Sequence, residues 1–581
     1  MHDLVIRSGT VVDGTGRAPF TGDVAIRDGK IAAVGGDVGA AKRAIDADGL
    51  TVTPGWVDVH THYDGQVSWD PLLAPSLWHG VSTVVMGNCG VGFAPAAPER
   101  REWLISLMEG VEDIPGPALH AGMPWNWETF PEYLDALSRM PRTLDVGGQI
   151  AHGAVRAYVM GERGAMNEPA TEDDAKKMAE LVAQAIRAGA LGFSTSRTVV
   201  HTGTDGRVVP GTYASEDELA TIARGIRTTG RGLMEGVFRG VVGEHPDDMG
   251  VLVRETQMFR RIAKKTGCPV TFLLAQHNGE PRQWREQLAE CEAAAKEGVP
   301  LRPQVFARPV NVLLSFQGEN PFQYLPSYAP LKNASLAERV AALRDPGLRA
   351  RLLSEKDPNM TGVSLIYQND WIWQRTYPLV APLNYTPRPE SSIAALAERE
   401  GRRPLEVVYD LLLRNEGKTF LMFAVAGYSE GNPDALHAML KHPLTSLGGS
   451  DAGAHLRQIV DASVHTYMLT HWVRDEAPGS PYHLPIESVV KKLTLDGARL
   501  YGLPDRGALA PEMKADVNLI DLPRLALDLP EMIHDMPAGM PRLMQTAKGY
   551  VATLVSGETV QENGVETGAR PGKIVRGGAA A

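Results

Sequence analysis

The sequence predicts an α/β fold: a TIM-type (β/α)8 barrel with a small β-sandwich domain built from both chain ends. Three observations predict it. The first fifty residues alternate short β-rich runs with turns, eight apolar runs separated by helix-forming stretches follow from Thr53, and β-rich runs return beyond residue 508. The 581 residues carry a net charge of -11, and 43% hydrophobic with 22% charged residues is ordinary for a globular chain able to bury a large core. An acidic balance argues against a phosphate-backbone partner, so no nucleic acid is expected. No run of about 18 apolar residues and no basic leader ahead of an apolar stretch appears, so no membrane association is expected. The three cysteines, Cys89, Cys268 and Cys291, are too scattered for a disulfide framework, which points to a reducing compartment and a cytoplasmic location.

In chain order, Leu4-Val5-Ile6, Thr10-Val11-Val12, Asp23-Val24-Ala25-Ile26 and Lys30 to Gly35 read as strands, with Asp13-Gly14 and Asp28-Gly29 as turn signals. The barrel strands are expected at Trp56–His60, Ser82–Met86, Leu144–Ile150, Gly189–Phe193, Gly232–Met234, Pro269–Leu274, Pro300–Val305 and Leu444–Leu447. Ahead of the fourth, Thr171 can cap a helix with Asp174 at the capping-box position. Met178, Leu181, Val182 and Ala185 fall on one face, and Gly189 stops it. The expected domains are therefore 1–53 plus 508–581 for the sandwich and 54–507 for the barrel. Residues 306–443 form an insertion between strands seven and eight, far longer than an ordinary loop of about 4–6 residues. Its aromatics, Phe316, Phe322, Tyr324, Tyr328, Tyr367, Trp371, Trp373 and Tyr377, suit either a lid over an apolar acyl group or an oligomer interface.

The chemistry concentrates at strand ends. His60 and His62 stand two apart at the end of strand one, and in an extended segment both project to the same side and can reach one metal ion. Strand eight runs into Gly449-Ser450-Asp451, which brings a carboxylate beside strand one once the barrel closes. An aspartate after a strand is otherwise a cap or turn former.

These pieces, with Gly87-Asn88-Cys89-Gly90 after strand two, Gly192-Phe193-Ser194-Thr195-Ser196 and the closing Thr567-Gly568-Ala569-Arg570-Pro571-Gly572, resemble the amidohydrolase superfamily. Within it they resemble the D-aminoacylase (N-acyl-D-amino-acid deacylase) family. The resemblance covers nearly the whole chain outside the insertion. It implies Zn2+, most simply one tightly bound ion, held by His60, His62, Cys89 and Asp451, and cleavage of the amide of an N-acyl amino acid by metal-activated water. Asp451 is the implied proton carrier. The alternatives are another amide on the same fold or a scaffold without catalysis. Where the family places histidines after strands five and six, this chain has Val237 and Leu274. Glu235, Gln276, His201 and His277 are the candidate replacement ligands or substrate contacts, and Arg197, Ser194 and His152 the candidate substrate-binding residues. There is no lysine between Lys177 and Lys264, which disfavours the carbamylated-lysine type with paired metals. The expected partner is a small N-acyl substrate, with homo-oligomerisation left open.

Overall fold

The computed structural model describes residues 1–245, 247–358, 367 and 369–577. Eight parallel strands pair in chain order: Trp56–Asp58, Val81–Met86, Asp145–Ala151, Gly192–Ser196, Leu233–Val237, Val270–Leu273, Leu301–Val305 and Ser446–Leu447. The seam between the last and the first closes just beyond the strands, where Thr61 bridges Ala452 in parallel and His62 N donates to Ala452 O at 2.7 Å. Among the described residues the barrel is thus complete, and its C-terminal mouth is where His62 and Asp451 stand.

Strand four lies three residues later than the sequence suggests. Gly189 and Ala190 still belong to the end of the preceding helix, Glu172–Ala188: Gly189 takes φ 125 and Ala190 N reaches back to Ala185 O. That helix is otherwise as expected, with the Thr171–Asp174 capping box formed on both sides and Met178, Val182 and Ala185 buried.

Both chain ends meet in one nine-stranded sheet. Its path runs through Tyr550–Val555, Val517–Ile520, Thr51–Pro54, His2–Val11, Phe20–Arg27 and Lys30–Gly35, around a core that includes Leu4, Ile6, Val24, Ile26, Val517 and Leu554. The turn between its last two strands needs left-handed backbone at two successive positions, met by Asp28 (φ 52) and Gly29 (φ 72). Between these C-terminal strands two short hairpins, Ala526–Leu527 with Ala547–Lys548 and Glu531–Ile533 with Arg542–Met544, leave the sheet. They reach the loop after barrel strand eight, where Leu543 N donates to Leu456 O.

The insertion has a three-stranded antiparallel sheet of its own, Val310–Leu314, Phe420–Ala426 and Thr376–Leu379. Residues 359–366 and 368 of the expected lid, and 578–581 of the Gly/Ala tail, lie outside the described residues. Most of the aromatics read above as a lid or an interface pack inside the insertion. Phe316, Phe322, Tyr328, Tyr367 and Trp373 are buried in a second core with Tyr409 and Leu412. Tyr324 and Tyr367 both donate to Glu319, at 2.9 and 3.0 Å. They hold the insertion together.

Candidate metal centre

Three donor atoms converge at the mouth. His60 Nε2 and His62 Nε2 stand 3.4 and 3.8 Å from Cys89 Sγ, and all three ligand atoms lie within 4.8 Å of one another. Asp451 Oδ1 is 3.3 Å from His60 Nε2 and 3.7 Å from His62 Nε2. The four sequence-predicted residues are therefore brought together.

Local sequence explains how. After strand two the chain turns back through Gly87 (φ 82), Cys89 (φ 56) and Gly90 (φ 71). Asn88 anchors this turn: its amide nitrogen donates to Thr61 O and Val85 O, each at 3.0 Å, and its oxygen accepts from Gln149 Nε2 at 2.8 Å. Gly90 is required, because a Cβ there would lie 2.6 Å from Ser196 N. Cys89 and Asp451 (φ 46) both hold left-handed backbone that costs an L residue free energy, a conformation that accumulates at functional sites. At the seam Ser450 Oγ lies 2.6 Å from Asp58 Oδ2 and 2.9 Å from His60 O, so closing the barrel also positions the residue before Asp451.

Two residues the sequence reading missed orient the imidazoles. His60 Nδ1 is 3.2 Å from Gln304 Oε1, which makes Nδ1 the protonated nitrogen and leaves Nε2 a lone pair for a metal. His62 Nδ1 faces Glu112 Oε1 at 3.3 Å, and Glu112 Oε2 faces His455 Nε2 at 3.6 Å. Gln304 was visible as an inward position of strand seven. Glu112 ends the helix Arg101–Glu112, and no local motif marks it.

The electrostatics ask for a cation. Burial first, and then the carboxylates of Glu112, Glu235, Asp451 and Asp64, push the Cys89 thiol well above its usual range. Burial lowers His60 to about 4 with Asp451 opposing. His62 is raised to about 9 because Glu112 and Asp451 outweigh its burial. Burial also raises Glu235 to about 8 and Asp64 to about 7. Glu235 Oε1 is buried with no hydrogen-bond partner, and Glu112 Oε1 meets His62 Nδ1 as an ion pair without hydrogen-bond alignment. Two imidazole nitrogens, a thiol and a carboxylate form a zinc-type donor set, and a cation would compensate this surplus of buried acid.

The other candidates sort differently. Glu235 is fully buried and Oε2 accepts from Cys89 N at 3.2 Å, so it borders the donor set. His201 bonds Ser196 Oγ through Nδ1 at 2.9 Å. Burial, with the charges of His455 and His62 nearby, lowers it to about 3. Gln276 turns away from the metal side, its amide bonding Glu430, Pro281 O and Ser429 N. His277 bonds Gln283 and receives Glu280 N. Neither is placed as a replacement ligand. Val237 and Leu274, in the positions of the expected histidines, are buried apolar residues. Ser194 accepts from Gly90 N at 3.1 Å. His152 is a satisfied core histidine between Thr195 and Glu218. Arg197 does not offer a free guanidinium: it pairs with Glu255 through Nε at 2.5 Å and Nη2 at 3.2 Å and donates Nη1 to Ala214 O.

Comparison with known proteins agrees with this architecture. The amidohydrolase family model matches residues 43–561. N-acyl-D-aspartate deacylase of Alcaligenes xylosoxydans xylosoxydans is 27% identical over 99% of this chain and 95% of its own length. A D-aminoacylase structure, described through a binuclear metal centre with one-metal activation and second-metal attenuation, superposes with TM-score 0.64 at 23% identity. It covers 99% of this chain and 100% of its own. N-acyl-D-glutamate deacylase from Bordetella bronchiseptica, complexed with zinc and a phosphonate inhibitor, gives 0.63 at 24% and covers 99% of each chain. At these identities the two structures establish the shared fold.

Proposed function

The chain belongs to the amidohydrolase family and is a hydrolase of carbon–nitrogen amide bonds, and from that premise we propose that it is a zinc-dependent N-acyl-D-amino-acid deacylase. The observation that carries the reading is the convergence of His60 Nε2, His62 Nε2, Cys89 Sγ and Asp451 Oδ1 at the barrel mouth. The deacylase relatives, named for acyl-D-aspartate and acyl-D-glutamate, supply the substrate class and its hand. One ion per chain is the expected content, since donors converge at one point while Val237 and Leu274 offer none.

His60, His62 and Cys89 would hold the ion, with Asp451 beside it. When bound, such an ion polarises an amide carbonyl and lowers the pKa of water toward about 7. The chain's own residues do the rest. Asp451 Oδ1, next to both Nε2 atoms, takes the proton of the attacking water and passes it to the departing nitrogen, so one carboxylate serves as base and then acid. Gln304 and Glu112 keep the imidazoles facing inward. The Cys89 turn, clamped by Asn88, holds the thiol still while the acyl group is handled.

The test is a panel of N-acyl amino acids of both hands given to zinc-loaded protein, with release of free amino acid as the readout. Release from the D series is expected. A fully loaded chain that releases none from either series would overturn the assignment.

A further inference from the structure

Tyr501 enters the barrel from below. It follows the helix Leu495–Leu500, which lies against strand one: a Cβ on Gly497 would stand 3.2 Å from Val57 O. Arg506, a little further on, pairs with Asp145 at the foot of strand three at 2.7 Å. Tyr501 is buried in one cluster with Val57 of strand one, Val85 of strand two and Leu233 of strand five. Strands one and five form opposite walls, so a cluster holding residues of both spans the interior at the barrel's base. Burial first, and then the Glu235 carboxylate, push the phenol well above its usual range, while the Gln304 and Gln149 side chains draw it back and Cys89 is felt from above. Groups on strands three, five and seven thus surround the hydroxyl, which stands near the barrel axis beneath the donor set. The phenol keeps its proton and can donate it to a hydrogen bond.

Each of these neighbours already holds part of the donor set. Gln304 Oε1 lies 3.2 Å from His60 Nδ1, Glu235 Oε2 accepts from Cys89 N at 3.2 Å, and Gln149 Nε2 donates to Asn88 at 2.8 Å. Asn88 spends its amide hydrogens on the carbonyls of Thr61 and Val85. Its oxygen must therefore face Gln149 Nε2, which turns Gln149 Oε1 to the other side. Gly192 leaves that oxygen room, since a Cβ there would stand 3.0 Å from it. Tyr501 Oη, Gln149 Oε1 and Glu235 Oε1 are all buried, and among the described residues none has a hydrogen-bond partner. Polar atoms left dry in an enclosed interior are costly, whereas one water can donate to two oxygens and accept from a hydroxyl, and buried waters make about three such bonds.

We propose that Tyr501 Oη, Gln149 Oε1 and Glu235 Oε1 seat one ordered water on the barrel axis, and that Tyr501 thereby acts as a positioning residue, bracing from beneath the side chains that fix the Cys89 turn. The phenol donates to the water, and the water donates to the amide and carboxyl oxygens. The proposal concerns the ion's donors and not the amide that is cleaved, so it goes beyond the deacylase reading and depends on the metal centre alone.

The first measurement is a high-resolution crystal structure of wild type, with and without the ion. Density for one water within hydrogen-bond reach of all three atoms is expected, and none there overturns the proposal. The second compares wild type with Tyr501→Phe, which keeps the ring that fills the base, both loaded with cobalt(II). The variant is expected to shift the thiolate-to-cobalt charge-transfer band and to bind the metal about 10-fold more weakly in competition with a chelator, the low end for groups that hold a ligand from outside. A purely packing role would lower the melting temperature and leave band and affinity unchanged, and that result overturns the proposal even with the water in place. Should the variant not fold, or should wild type take up no metal, so that the zinc reading itself fails, the density on the axis decides.

Discussion

The two halves of the barrel mouth use polar residues in opposite ways. On the side of strands one, two and eight, His60, His62, Cys89 and Asp451 aim their donor atoms at one point, and their other atoms are held by Gln304, Glu112 and the Asn88 turn. On the side of strands three to six, Glu235 apart, the candidate polar residues close on each other: His152 on Thr195 and Glu218, Arg197 on Glu255, Gln276 on Glu430. The difference teaches that polarity at a strand end does not mark a site. Unspent, convergent atoms do.

The contrast can be broken by substitution. Cys89→Ala should strip most of the metal and with it the activity, as read by elemental analysis; full retention would return Cys89 to the role of a packed core residue. Asp451→Asn should keep the fold and much of the metal while turnover falls at least about 100-fold, and a near wild-type rate in single-turnover assays would remove it from proton transfer. Glu112→Gln, which weakens the hold on His62 without touching the ion, should reduce metal affinity by about 10–100-fold, measured by competition with a chelator.

On the other half the effects should appear in stability and leave metal content alone. Against its burial, His152 and Arg156 hold the Glu218 carboxyl down at about 2, below its unfolded value near 4.5. The stabilisation is therefore complete above about pH 4.5 and lost as pH falls through about 2. At neutral pH Glu218→Gln should cost on the order of 2 kcal/mol. The gap from wild type in denaturant titrations should shrink steadily below pH 4.5, whereas a constant gap would mean the charge contributes nothing.

Much of this was legible in sequence, for physical reasons particular to each element. The His60/His62 spacing needs only an extended strand to become a pair of ligands, and the Thr171 cap needs only its own helix. The fourth strand was displaced because Gly189-Ala190-Leu191 looked like its apolar start, while the true strand ends in Ser194-Thr195-Ser196. Those residues are fully buried because Gly90 N, His152 Nδ1 and His201 Nδ1 satisfy their hydroxyls, partners distant in sequence or lacking any motif. Glu112 was illegible for the same reason: it acts only across the space between a helix end and strand one. The packing of the insertion's aromatics was illegible because an apolar ring reads alike whether it lines a pocket or fills a core.

The seam bond between Ser450 and Asp58 spans 392 positions of the chain. At ribosomal rates of roughly 5–20 residues per second the segment bearing His60, His62 and Cys89 exists for some 20–70 s before Asp451 is made. The order of synthesis thus separates the donors: His60, His62 and Cys89 are made first, and Asp451 takes its place beside them only with the last barrel strand, so the set is complete when the ring shuts.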